Sequence, residues 1–94
     1  MTKQVDITPE AERDIYAITI NILQQDSVEA AKKAALEFNR QLLTLTNFTD
    51  QGRPIGIDGT REVVLSGLPY IAVYKTVKDT VTVIRILYGE GEKF

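Results

Sequence analysis

The stretch Thr80-Val81-Thr82-Val83-Ile84-Arg85-Ile86-Leu87-Tyr88 carries the strongest strand signal in the chain. β-Branched side chains lose freedom in a helix but pack well on a pleated sheet, so this composition predicts a strand over Thr80–Tyr88. Two similar runs precede it, Arg61–Leu65 and Tyr70–Val77, with short connections at Ser66-Gly67 and Lys78-Asp79. Because strands joined by such short turns run antiparallel, the C-terminal half predicts an antiparallel meander.

Two amphipathic helices are predicted upstream of the meander. The first runs from about Pro9 to Gln25 and repeats apolar residues on one face, at Ala11, Ile15, Ile18 and Ile22. The second begins after Ser27, runs to about Asn47 and repeats apolar residues at Ala31, Ala35, Phe38, Leu42 and Leu45. Steps of three and four place each set along one helical stripe, and the very short connection between the helices predicts an antiparallel hairpin.

The order of these elements gives the fold class. Alternating polar and apolar residues at Gln4–Ile7 predict a short first strand, and Gly, Asp and Pro at Thr49–Thr60 predict a loop. We therefore expect a single α+β domain over residues 1–94 with the order βααβββ. One sheet, made of the first strand and the meander, should carry the helix hairpin on one face and leave the other face for solvent or a partner.

Composition narrows the possible chemistry. The 94 residues include no Cys and no His, which excludes thiolate nucleophiles and removes the commonest general base and the commonest metal ligand. We expect neither a metal nor a cofactor. The N-terminus has no apolar run of signal-peptide length and no window approaches a membrane span, so we expect a cytoplasmic protein without a membrane partner.

The charge is divided unevenly along the chain. Residues 1–50 hold 5 Lys and Arg against 8 Asp and Glu, whereas residues 51–89 hold 5 against 3, in a chain of net charge −2. A dedicated RNA-binding protein usually carries a clear positive excess, because phosphate contacts supply most of its affinity. Any contact with an anion is therefore expected in the C-terminal half.

Five short motifs, in order, resemble those of the RelE/ParE toxin superfamily. The match runs from about Val5 to Gly89, nearly the whole chain, and the motifs lie at Pro9–Ile15, Gly52-Arg53, Arg61–Val63, Leu68–Lys75 and Val83–Gly89. Two positions depart from the usual pattern: Ile71 stands where the family often has Arg, and Tyr88-Gly89-Glu90 stands where many members have His-Gly-Arg. The resemblance implies the toxin of a bacterial type II toxin–antitoxin pair, with a cognate antitoxin as partner.

The superfamily implies two different activities. ParE-like members inhibit DNA gyrase without being nucleases, whereas RelE-like members cleave mRNA on the ribosome without a metal. The leading hypothesis is a ParE-like gyrase inhibitor. The acidic chain and the absence of the family's His and Arg at Tyr88-Gly89-Glu90 count against the alternative, a RelE-like endoribonuclease. A third hypothesis is a toxin-fold protein of little toxicity that mainly binds its antitoxin.

If the chain is a nuclease, the residues expected to act are Arg53, Arg61, Arg85 and Tyr88. Guanidinium groups match phosphate oxygens, and Tyr88, or Tyr74 in its place, would have to serve as general acid. Structural roles are open for the same residues: Arg85 could pair with Glu62 across strands, Arg61 could also pair with Glu62, and Tyr74 could pack at the core edge.

The residues expected to bind a protein partner form two groups. Tyr16, Ile20 and Leu23 make a second apolar stripe on the first helix, beside the one that faces the core. Tyr74 and Lys75 lie on the middle strand of the meander. A sheet edge and a groove beside the helices are the places where an added strand or helix would dock.

Overall fold

The computed structural model describes residues 4–47, 49, 51–56 and 58–89. In chain order the elements are β1 Gln4–Ile7, α1 Pro9–Gln25, α2 Val28–Thr44, β2 Arg53–Pro54, β3 Thr60–Val64, β4 Tyr70–Val77 and β5 Thr80–Tyr88. Within these residues the strands form one five-stranded sheet in the order β1-β5-β4-β3-β2. β1 runs parallel to β5 and the other pairs are antiparallel. The predicted α+β fold, with a helix hairpin against one sheet, is confirmed.

Side-chain caps fix where the helices begin. Thr8 precedes α1 in an extended conformation and accepts a hydrogen bond from the Ala11 N–H, with Pro9 at the start of the helix. Ser27 does the same for the Ala30 N–H at the start of α2. Each cap satisfies a backbone donor that has no partner within the helix. No helix in the described part of the chain is long and apolar enough to span a membrane.

Two features differ from the sequence prediction by more than one residue. α2 ends at Thr44 and not at Asn47, because residues 45–47 donate to carbonyls three positions back and form a tighter turn. The segment predicted as a loop contains β2, whose Arg53 pairs with Glu62 of β3. A strand of two residues is too short for any periodicity to reveal it.

The core lies between the helix hairpin and one face of the sheet. Its central buried side chains are Ala11, Phe38, Leu42, Leu45, Val63, Leu65, Ala72, Tyr74, Val81, Val83 and Ile86. We call this side of the sheet the helix face and the opposite side the open face.

A β-bulge at Ile84 decides which side chains of β5 reach each face. Val83 lies opposite Tyr74 and Arg85 lies opposite the preceding residue of β4, Val73, so Ile84 is the extra residue. Simple alternation along β5 would group Arg85 with Val81 and Val83 on one face of the sheet. That grouping is wrong: Val81 and Val83 lie in the core, whereas Arg85 is exposed on the open face.

Candidate partner-binding surfaces and the arginine side chains

Arg53 is held by a buried carboxylate. Its Nε lies 2.6 Å from Oε1 of Glu62, which is directly opposite it on β3. The Glu62 side chain is only 5% exposed, whereas half of the Arg53 side chain reaches solvent. A buried carboxylate without its cation is costly, so this pair fixes β2 on the sheet edge. Arg53 also lines a shallow cleft of about 500 Å³ on the open face, and Arg85 is not among the cleft's lining residues.

Arg85 pairs with Asp14 of α1. The structural role suggested from the sequence, a pair between Arg85 and Glu62, is therefore wrong. Arg85 Nε and Nη2 donate to the two carboxylate oxygens of Asp14, at 2.7 and 3.0 Å. Asp14 also accepts from the Ile86 N–H at 2.9 Å. The hydrogen bond from Arg85 is the main reason that the pKa of Asp14 lies below its ordinary value, and Asp14 raises the pKa of Arg85 in turn. Arg85 therefore ties β5 to the second turn of α1.

Arg61 and Tyr74 hold the segment that leads into β2. Arg61 Nη1 donates to the Gly52 carbonyl at 2.7 Å. The Tyr74 hydroxyl accepts from the Gly52 N–H at 2.9 Å and donates to the Thr49 carbonyl at 2.8 Å. Because Tyr74 has no exposed surface, a partner has no access to it in this structure, contrary to the sequence expectation. The pair between Arg61 and Glu62 that the sequence suggested is not formed. Arg61 binds the Gly52 carbonyl, and Glu62 binds Arg53.

Gly52 is required by close packing. A Cβ atom at this position would lie 2.4 Å from the Glu62 carbonyl oxygen and 2.8 Å from the Tyr74 hydroxyl. The first of these atoms belongs to the backbone of β3 and has little freedom to move. From the sequence, Gly52 is predicted only as part of a loop, because nothing in the sequence indicates which strand lies beside it.

Tyr88 lies apart from Arg85. Its side chain is 73% exposed and meets the ring of Tyr70 edge-on, with 5.7 Å between centroids. Tyr70 in turn packs on Phe38 of α2, so Tyr88 belongs to the helix side of the sheet. The four proposed catalytic residues are consequently not gathered at one place. Arg53 and Arg85 reach the open face. Arg61 has the same orientation as the core residue Val63, and both Arg61 and Tyr88 lie on the helix face.

An apolar groove lies between the two helices. It has a volume of about 370 Å³ and is lined by Ile7, Glu12, Ile15, Tyr16, Thr19, Ala35, Phe38, Asn39 and Leu42. Tyr16 lines this groove with 70% of its surface exposed. Of the other expected partner-binding residues, Leu23 is 42% exposed, Ile20 is half-buried, and Lys75 is half-buried on the sheet beside Thr82.

A second apolar stripe on the helix hairpin was missed by the sequence analysis. Leu36 is 71% exposed and Leu43, seven residues further along α2, is 51% exposed. A step of seven returns to nearly the same side of a helix, so these two leucines share a stripe. The sequence signal was available, because neither residue fits the core repeat of α2. The hairpin therefore presents more apolar surface to a partner than Tyr16 and Leu23 alone.

Comparisons with known sequences indicate the family to which the chain belongs. A sequence model described as the ParE toxin of the type II toxin–antitoxin system parDE matches residues 5–92. The protein Y4kP of Sinorhizobium fredii is 29% identical over 70 residues, which are 74% of this chain and 72% of Y4kP.

Solved structures extend the comparison to the fold. A chain of the chromosomal ParDE toxin–antitoxin system of P. aeruginosa superposes with a TM-score of 0.85 at 25% identity, over 95% of this chain and 98% of that one. A chain of the RelBE2 toxin–antitoxin complex of Mycobacterium tuberculosis has a TM-score of 0.62 at 22% identity, over 94% and 99% of the two chains. The latter likeness concerns the fold alone.

Proposed function

Because the chain belongs to the ParE toxin family of type II toxin–antitoxin systems, we propose that it is a protein-binding inhibitor of DNA gyrase that a cognate antitoxin neutralises. It acts in the cytoplasm, where its target is found. Its activity consists of binding, and it uses no cofactor.

The placement of the four nuclease candidates is the observation that supports this proposal. Metal-free cleavage of RNA requires a proton donor and charge-stabilising groups that converge on one phosphate. Here Arg85 is bound to Asp14, Arg53 to Glu62 and Arg61 to the Gly52 carbonyl. Tyr88 lies on the helix side. An inhibitor that works by binding needs only a complementary surface, and these structural roles of the arginines are compatible with that.

The groove between the helices is the proposed site for the antitoxin. An amphipathic helix laid into an apolar groove is a common way for one protein to recognise another. The groove floor includes the buried Phe38 and Leu42, and the exposed Tyr16 ring offers the kind of aromatic anchor that dominates many interfaces. Leu23 lies two turns further along α1 and would extend the contact.

Induction in a bacterial host tests the gyrase proposal. We expect filamentous cells and DNA-damage signalling, because blocked gyrase leaves chromosomes unsegregated and broken. Prompt arrest of translation with cleaved mRNA would instead establish the RelE-like activity. Normal growth, together with formation of the antitoxin complex, would establish the third hypothesis, a toxin fold of little toxicity.

A pair of variants tests the groove. Tyr16→Ala removes an exposed ring that lines it, so we expect the antitoxin to bind at least about tenfold more weakly, as for loss of a central aromatic contact. Gln24→Ala is the matched control, because Gln24 is exposed on α1 and does not line the groove. Equal affinities for the two variants would place the antitoxin elsewhere.

A further inference from the structure

The cleft on the open face has a mostly apolar lining. It has a volume of about 500 Å³ and is lined by Pro54, Ile55, Val73 and Leu87 together with Arg53 and Glu62. Ile55 is 43% exposed, and Val64, which follows Glu62 by two residues on the same face of β3, is 47% exposed. Exposed apolar surface with polar groups at its rim is typical of a site where a protein binds a partner.

The exposed charge at the cleft is positive. The Glu62 side chain is only 5% exposed and its Oε1 lies 2.6 Å from Arg53 Nε, so the carboxylate is shielded from solvent. The Arg53 side chain is 51% exposed. A partner at the cleft therefore meets a guanidinium group, which binds carboxylates through charge-assisted hydrogen bonds. An apolar side chain next to Asp or Glu is the chemistry that complements this cleft.

The cleft lies on the opposite side of the sheet from the groove proposed for the antitoxin. The groove is lined by residues of the two helices and by Ile7 at the end of β1, and none of these residues lines the cleft. The sheet and the core separate the two surfaces. One chain therefore presents distinct surfaces to two different partners.

A second copy of the chain is a poorer occupant of the cleft than a different protein. Among the described residues, a large exposed apolar side chain stands next to a carboxylate at Val28-Glu29 and at Leu36-Glu37, both on α2. Inserting either pair would join the open face of one copy to the helix side of the next. Contacts of that kind produce rings or filaments and not the twofold dimer that is the commonest assembly of identical chains.

A nucleic acid is also a poorer occupant. The chain has a net charge of −2, and the cleft offers one guanidinium group among four apolar residues. Affinity for nucleic acids comes mostly from several contacts between cations and phosphates. The apolar lining therefore suits a protein surface.

We propose that the cleft is the docking site for the target protein of this toxin, which packs an apolar side chain against Ile55 and Val73 and places a carboxylate on Arg53. The inference rests on the proposed function for the identity of the target as DNA gyrase. Burial of the apolar side chain supplies affinity, and the contact with Arg53 fixes the orientation of the partner. Arg85 does not line the cleft, so docking does not require it.

Ile55→Asp tests the docking site. The substitution removes an exposed apolar contact and places a carboxylate beside the position expected for the carboxylate of the target. Val77→Asp is the matched control, because Val77 is also an exposed aliphatic residue, at 53%, and does not line the cleft. We expect Ile55→Asp to bind purified gyrase at least about tenfold more weakly than Val77→Asp, as for loss of a central contact. The concentration that half-inhibits supercoiling should rise by a similar factor.

Binding of the antitoxin, purified by co-expression, is the control for folding, and both variants should bind it equally. Two measurements on the wild-type chain decide the matter if Ile55→Asp does not fold. Hydrogen exchange in the segments that contain Ile55 and Val73 should slow when gyrase binds. The affinity for gyrase should fall as salt is raised, because salt screens a contact between an exposed guanidinium group and a carboxylate.

The outcomes separate the two claims. If the wild-type chain neither binds gyrase nor inhibits supercoiling, the proposed function is wrong and this inference fails with it. If it binds gyrase, but the two variants bind equally and exchange at the cleft is unchanged, only the docking site is wrong. Three other results would overturn the inference by assigning the cleft to another occupant. They are a weaker antitoxin complex of Ile55→Asp with unchanged gyrase binding, a wild-type oligomer that Ile55→Asp dissociates, and binding of plasmid DNA alone that Ile55→Asp weakens.

Discussion

Removing the Tyr74 hydroxyl should destabilise the protein without touching its activity. In Tyr74→Phe the ring stays in the core, but the buried Gly52 N–H loses its acceptor and the Thr49 carbonyl loses its donor. A buried backbone donor left without a partner costs about 1–3 kcal/mol. For a domain of this size each kcal/mol shifts the midpoint of thermal unfolding by roughly 4–8 °C. We therefore expect a fall of about 4–24 °C, the product of these two ranges.

Urea unfolding followed by circular dichroism measures the change in the free energy of unfolding. The slope of the free energy against urea should stay unchanged, because the substitution alters stability and not the surface exposed on unfolding. Tyr88→Phe is the control: its side chain is 73% exposed, so we expect a change within about 0.5 kcal/mol. Equal stability of Tyr74→Phe and Tyr88→Phe would refute the role of the buried hydroxyl.

The same two variants discriminate between the activities. If Tyr74 or Tyr88 were the general acid of a nuclease, the corresponding Phe variant would lose toxicity while still folded. We expect both variants to retain toxicity per folded molecule, since the proposed inhibitor needs neither proton. Loss of toxicity in a folded Tyr88→Phe protein would favour the endoribonuclease.

Three further predictions concern stability. Gly52→Ala should destabilise the fold by more than about 2 kcal/mol in urea unfolding, because its Cβ would meet the Glu62 carbonyl at 2.4 Å; a neutral result would mean that the segment shifts freely. The pKa of Asp14 is lower in the folded state, so its pairing with Arg85 stabilises the protein above the unfolded pKa and is lost as the pH falls through about 4 and below. In Asp14→Asn, the free energy of unfolding should accordingly fall less steeply as the pH is lowered. The same pH dependence as in the wild-type chain would contradict the pairing. Ser27→Ala should cost about 0.5–2 kcal/mol by removing the cap of α2, as a shift in the thermal midpoint would show.

The parts of the fold that local chemistry determines could be predicted from the sequence. The spacing of apolar residues located both helices, and β-branched runs located β3, β4 and β5. These signals depend on neighbours within a few residues. The order of the elements then limited the architecture to one sheet with a helix pair on one side.

The contacts of the arginines could not be predicted in the same way. Arg85 and Asp14 are 71 residues apart, and their pairing depends on the bulge at Ile84, which turns Arg85 away from the core face. Nothing in the local sequence marks that bulge. Alternation alone therefore assigned Arg85 the wrong orientation and offered Glu62 as its partner, although Glu62 is bound by Arg53.

The resemblance to the toxin superfamily proved more informative than charge patterns. Its motifs lie on α1 and on four of the strands, and the match to the ParE toxin family over residues 5–92 confirmed it. The site residues expected from the sequence remain predictions. Of these, Arg53, Arg61 and Arg85 have structural partners, and Tyr16 lines an accessible groove.

Supercoiling of relaxed plasmid by purified gyrase, measured with increasing amounts of the purified chain, tests the proposed inhibition itself. We expect supercoiling to fall as the protein is added, to fall equally with Arg85→Ala if that variant folds, and to recover when the antitoxin is supplied. Unchanged supercoiling at a large excess of folded protein, together with cleavage of mRNA on programmed ribosomes that Arg85→Ala abolishes, would contradict it.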